Sequence, residues 1–139
     1  SDDYGESWQR KPVPLFNKTD TAGGYGLGLN SEQQLFVVGG DYQQRPKAYR
    51  NIATYVAGQW QTVHAGQHGL RTAMTCQGKV CLITGKTSSD ISFDGGESWQ
   101  VFANEQASAN NKGFYTLASE NGLFLAAGAE GKVGVLNIK

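Results

Sequence analysis

Two acidic octapeptides carry the residue types most capable of chemistry in this chain, SDDYGESW at residues 1–8 and SFDGGESW at residues 92–99. They align Ser1, Asp3, Gly5, Ser7 and Trp8 with Ser92, Asp94, Gly96, Ser98 and Trp99. Carboxylates beside hydroxyls can divide acid and base roles in a hydrolysis, or ligate a cation. Other spacings invite the same question. His64 and His68 stand four apart in VHAGQH, which converges on a metal only if the segment is helical. Cys76 and Cys81 flank a short polar turn in CQGKVC, Ser88 and Ser89 are adjacent, and the arginines are Arg10, Arg45, Arg50 and Arg71.

Each has a structural reading that needs less. An aspartate followed by glycine and serine is a turn former, because its side chain accepts backbone hydrogen bonds and the glycine relieves the backbone; the tryptophan then covers the sheet beyond. Asp41, Asp90 and Asp94 all fall where strands turn, so no catalytic residue is assigned. The histidines fall between repeats, where no helical period aims them together, and no metal site is assigned. Ser88-Ser89 lacks a nucleophile elbow, and neither histidine sits in a triad motif. GAEGKVG lacks the lysine-serine or lysine-threonine ending of a phosphate loop, and GLGLN lacks the helix that completes a dinucleotide fold, so no cofactor is expected. The cysteines are either a cross-strand disulfide or two reduced, partly buried thiols; their spacing is not that of a redox pair, and no second cysteine pair completes a zinc site.

The elements that carry these residues repeat. GYGLGLNSEQQLFVVGG at 24–40, GLRTAMTCQGKVCLITG at 69–85 and GFYTLASENGLFLAAG at 113–128 each read as a strand, a polar turn and a second strand ending in glycine. Gly39, Gly85 and Gly128 mark matching ends at an interval of roughly 45 residues, the size of a four-stranded propeller blade. Third strands are expected in AYRNIATY, SSDISF and KVGVLN, fourth strands in QWQTV and ESWQVF, and an orphan fourth strand in ESWQ near the beginning, about twelve strands in all. The fold class is therefore all-β, with blades at 24–63 and 69–102, an incomplete last blade at 113–136, and an orphan outer strand in 1–10.

Composition limits the partners. Twelve basic and twelve acidic side chains cancel, and neither sign forms a run, so no nucleic-acid partner is expected. No apolar stretch approaches the roughly 20 residues of a membrane span.

Both octapeptides fit S-x-D-x-G-x-[ST]-W, which resembles the Asp-box of sialidase-type BNR repeats. ATYVAGQW keeps Trp60 but places Tyr55 where the aspartate would stand. LFVVGGDY at 35–42, GLRTAM at 69–74, SSDISFDGGESW at 88–99 and LFLAAGAEGKVGVL at 123–136 are similar to the photosystem II stability and assembly factor-like group of bacterial BNR propellers, also labelled oxidoreductase-like. The resemblance implies a β-propeller of four-stranded blades whose Asp-boxes sit on turns between outer strands, away from the central face. It implies a noncatalytic binding or assembly scaffold with a protein or peptide partner. Tyr42, Arg45, Arg50 and Arg71 are the expected contact residues, Arg71 by analogy with an arginine that opens a blade in that group. The alternative is the C-terminal portion of a sialidase-like glycoside hydrolase acting on carbohydrate, its catalytic residues mostly in other blades. Three blades cannot close a ring, so the expected complement is the remainder of a larger propeller or a second copy. A disulfide would fit a periplasmic or secreted location.

Overall fold

Uninterrupted apolar runs such as LFVV at 35–38 and VCLI at 80–83 suit strands covered on both faces. The computed structural model describes residues 1–43, 50–63, 68–102 and 113–138. Its strands are β1 (Ala22–Leu29), β2 (Leu35–Asp41), β3 (Ile52–Val56), β4 (Gln59–Val63), β5 (Arg71–Gln77), β6 (Val80–Gly85), β7 (Asp90–Ser92), β8 (Gln100–Val101), β9 (Phe114–Glu120), β10 (Leu123–Gly128) and β11 (Val133–Asn137). They form three antiparallel sheets, ordered β1-β2-β3-β4, β5-β6-β7-β8 and β9-β10-β11. The protein is all-β, and among the described residues no sheet closes on itself.

The sheets stack in chain order. Phe36, Val38 and Ile52 of the first meet Met74, Cys81, Ile83 and Trp99 of the second. Leu82 and Ile91, on the opposite face of the second, pack with Phe124 of the third. The outer face of the first sheet, at Val37 and Ala53, lies under Val13, Leu15 and Trp60. Two hydrogen bonds hold that cover: Thr62 Oγ1 donates to the Pro14 carbonyl at 3.2 Å, and the Phe16 N–H to the Arg50 carbonyl at 2.7 Å. Among the described residues the third sheet has a neighbouring sheet on one side only. Although LFLAAG reads like its counterparts, Leu123 and Leu125 of β10 and Val133 and Val135 of β11 are exposed.

The first strands of the sheets adjoin, β1 against β5 and β5 against β9. Glycine is required where each second strand meets its first. A Cβ on Gly39, Gly85 or Gly128 would fall 2.0, 1.9 or 1.9 Å from the carbonyl oxygen of Gly23, Leu70 or Gly113. The recurrent glycines thus mark a close backbone approach, and they align the sheets residue by residue. An irregularity in pairing recurs beside each of them, leaving Tyr25, Thr72 and Tyr115 as the extra residues of three matching bulges.

One expectation changes and one pair of alternatives is settled. Eleven strands are present among the described residues rather than about twelve, because ESWQ at residues 6–9 is not in a strand. It folds as a turn, and among the described residues no sheet edge pairs with it. Cys76 and Cys81 stand directly opposite in β5 and β6, with Cα atoms 4.0 Å apart, and are joined by a disulfide. Arg45 and His64 lie outside the described residues.

Candidate functional site

The two octapeptides fold into the same hydrogen-bonded turn. In the second, the Ser92 hydroxyl donates to Asp94 Oδ1 at 2.7 Å and accepts the Gly96 N–H at 2.8 Å. Asp94 also accepts the Ser98 N–H at 2.9 Å and the Ser98 hydroxyl. The Trp99 indole N–H returns to the Gly96 carbonyl at 3.0 Å. The first turn repeats every link. Ser1 bonds Asp3 at 2.7 Å and the Gly5 N–H at 2.8 Å, Asp3 accepts the N–H of Ser7 at 2.9 Å and its hydroxyl, and Trp8 Nε1 donates to the Gly5 carbonyl at 3.1 Å. In each, hydrogen bonds from the following serine, Ser7 or Ser98, lead in lowering the carboxyl pKa, from 3.8 to about 2. Such a carboxylate is held charged at neutral pH with its oxygens engaged, which suits a turn lock and not a proton donor.

Their surroundings differ. The Asp94 turn joins β7 to β8 and wedges against the first sheet: Trp99 meets the Phe36 ring edge-on at 6.5 Å between centroids, and Asn30 Nδ2 donates to the Gly95 carbonyl at 2.9 Å. Trp99 is 9% exposed, whereas Trp8 is 80% exposed. Neither Phe36 nor Asn30 stands out in the sequence, since the docking site of a turn lies in a different repeat.

The remaining expected contact residues divide. Tyr42 is exposed at the end of β2 and meets Tyr25 edge-on at 6.3 Å. Tyr25 donates to the Thr21 carbonyl at 2.7 Å, and its hydroxyl pKa is raised by partial burial, then by Tyr42 and Asp41. At the matching bulge of the third sheet, Tyr115 accepts a hydrogen bond from Lys86 Nζ at 2.8 Å, with the ammonium 5.5 Å from its ring centre. Tyr25, Tyr42, Lys86 and Tyr115 are all tied to one end of the strands, where β2 and β6 finish. Tyr25 and Tyr115 go unnoticed in the sequence because a bulge is a property of two paired strands.

Arg71 corrects an expectation. It and Asp90 are fully buried, joined by Nε to Oδ2 at 2.7 Å. Its acidic partner is in its own sheet, so Arg71 is an internal strut between β5 and β7 and not an exposed contact. Arg50 packs at the start of β3, where its carbonyl anchors Phe16.

The other carboxylate considered for chemistry is engaged as well. Asp41 is fully buried and accepts the hydroxyls of Thr19 and Thr21 and the Gln43 N–H, the last two at 2.7 and 2.8 Å. It locks the entry to β1 onto the exit of β2. Ser88 and Ser89 are buried. Among the described residues no group of three His, Cys, Asp or Glu side chains is placed to hold a metal, and no helix is long and apolar enough to cross a membrane. What the geometry offers is a set of locked turns and one aromatic, partly basic strand end. Comparison with protein-family models, with curated proteins and with solved structures finds no match, so that geometry and the repeat are what any functional reading rests on.

Proposed function

We propose that the three sheets are consecutive blades of a BNR-like β-propeller, similar to the assembly factor-like group, and that the chain is a noncatalytic binding scaffold. One observation carries the reading: two Asp-box turns with the same bonding, one of them wedged between neighbouring sheets by Trp99. The adjoining first strands and the glycine-aligned sheets add support, since blades radiate from an axis lined by their first strands. The scaffold's contact surface is the strand end bearing Tyr25, Tyr42, Lys86 and Tyr115, whose rigid rings and Lys86 ammonium suit a peptide with apolar and acidic side chains. The Cys76–Cys81 disulfide supports an oxidising, periplasmic or extracellular setting. The glycosidase alternative draws no support from Asp41, Asp90 or Asp94, each engaged in structural hydrogen bonds.

Selection of displayed peptides against the chain tests this. Recovered peptides are expected to lose affinity by about 30-fold for Tyr42→Ala combined with Tyr115→Ala, the scale of an aromatic hot spot, with unfolding midpoints unchanged. Turnover of aryl glycosides above background, abolished by a single carboxylate substitution, would reverse the assignment.

A further inference from the structure

The third sheet ends at β11, and among the described residues no further strand follows it in the sheet. Beside this edge a cavity of about 330 Å³ opens between the second and third sheets, lined by Leu82, Phe102, Phe114, Phe124 and Leu136 among others. Elsewhere on the chain Trp8 is 80% exposed on a turn already in its final geometry. We propose that this cavity receives the N-terminal Asp-box of a second copy of the chain, with Trp8 inserted between the sheets and Gln9 and Arg10 paired to β11 as its fourth strand. The proposal rests on the blade reading and names the partner of one open end.

Residue matching between the sheets specifies the fit. Phe36, Leu82 and Leu125 each stand three positions before the aligning glycine, and they pair with Thr54, Ile91 and Val135. In the two complete sheets the next partners are Thr54 with Gln61 and Ile91 with Gln100, and Ala53 with Thr62 and Asp90 with Val101. Gln61 and Gln100 each follow the blade tryptophan, Trp60 or Trp99. Carried to the third sheet, the same register sets Gln9 opposite Val135 and Arg10 opposite Gly134. Trp99 docks on Phe36 of the preceding sheet; the incoming Trp8 therefore meets Leu82, which lines the cavity.

The indole is suited to that burial. Its N–H is already satisfied by the Gly5 carbonyl at 3.1 Å, so burial in a cavity whose lining is mostly apolar, with Thr84, Ser89 and Lys132 its polar members, leaves no indole donor unpaired. The turn is preformed, so little ordering opposes docking.

The chain's own Trp8 cannot reach. Val13 is held over the outer face of the first sheet, and the five residues from Trp8 to Val13 span at most about 17 Å. Passing from that layer across two sheets into the gap before the third covers about 25 Å at roughly 10 Å per layer. An inserted Trp8 therefore belongs to another molecule, and a second copy can reciprocate through a two-fold axis.

Sedimentation of the 139-residue chain is the test. The wild type is expected to dimerise, and Trp8→Ala to weaken the dimer by about 30-fold or more while its circular dichroism under dilute conditions is unchanged. Gln9→Cys with Val135→Cys is expected to cross-link between copies on mild oxidation, and Gln9→Cys with Leu123→Cys, one strand further in, is not. A wild type that stays monomeric at every concentration overturns the exchange, as does a dimer indifferent to Trp8→Ala or one cross-linked by the Leu123 pair instead. These results are separable from failure of the scaffold reading, which would appear as glycoside turnover whether or not the chain dimerises.

Discussion

Gly96 and Gly5 occupy the same position in two turns of the same bonding, with φ of +97° and +92°, so alanine at either meets a similar backbone penalty of about 1–2 kcal/mol. The environment separates them. A Cβ on Gly96 would stand 2.6 Å from Cζ of Phe36, whereas on Gly5 the nearest atom is Trp8 Cζ2 at 3.8 Å, an ordinary contact. Phe36 is 1% exposed and cannot swing away without disturbing Val38, Ile52 and Met74 around it. Overpacking of that kind adds about 1–3 kcal/mol. Gly96→Ala is therefore expected to destabilise the fold by about 2–5 kcal/mol. Gly5→Ala, in an exposed turn that joins no sheet among the described residues, should change global stability by less than about 0.5 kcal/mol. In urea, with a slope near 2 kcal/mol/M, the first lowers the midpoint by roughly 1–2.5 M and the second leaves it in place. The measurement belongs at concentrations low enough to keep the chain monomeric. Adding Phe36→Leu supplies the control: its own cavity cost should be partly offset when Gly96→Ala is present, a coupling of about 1 kcal/mol. Equal losses at Gly5 and Gly96, or strict additivity with Phe36→Leu, would refute the claim that this turn wedges between sheets.

The depressed pKa of Asp94 predicts an acid-sensitive contribution. With a folded value of about 2 against 3.8, the contribution is present above about pH 4 and is lost as pH falls through the folded value, so stability rises with pH across that window. Solvent screening of this partly exposed group limits the effect to about 1 kcal/mol. Urea midpoints of Asp94→Asn should lack this component of the slope, and an unchanged profile would place the pH dependence elsewhere. Arg71→Met strands the Asp90 carboxylate in the interior and should cost about 3–5 kcal/mol by chemical denaturation, with Arg71→Lys recovering part of it. A stable Arg71→Met would remove the strut.

Much of the fold was legible because β pairing is local in each repeat. Strand, turn, strand and a glycine recur within a few tens of residues, so the hairpins β1–β2, β5–β6 and β9–β10 follow from alternation and turn residues alone. The serine-aspartate turn was legible for the same reason, since every hydrogen bond in it spans four residues or fewer. The failures share a cause. ESWQ reads as a strand wherever it stands, but a strand needs an edge to pair with, and residues 6–9 have none in the described chain. Arg71 reads as a contact residue because nothing nearby in sequence shows that Asp90, nineteen positions on, faces it across β6.

The amino-acid order by itself determined the all-β class, the three repeats, and two turns that fold alike wherever they occur, because those depend on short-range hydrogen bonds and side-chain alternation. Only the tertiary structure decided that Trp99 is a buried wedge and Trp8 an exposed one, and that LFVV is covered on both faces while LFLA is covered on one. Burial is set by what stands on the far side of a sheet, and for residues 1–8 and for β11 no described part of this chain stands there.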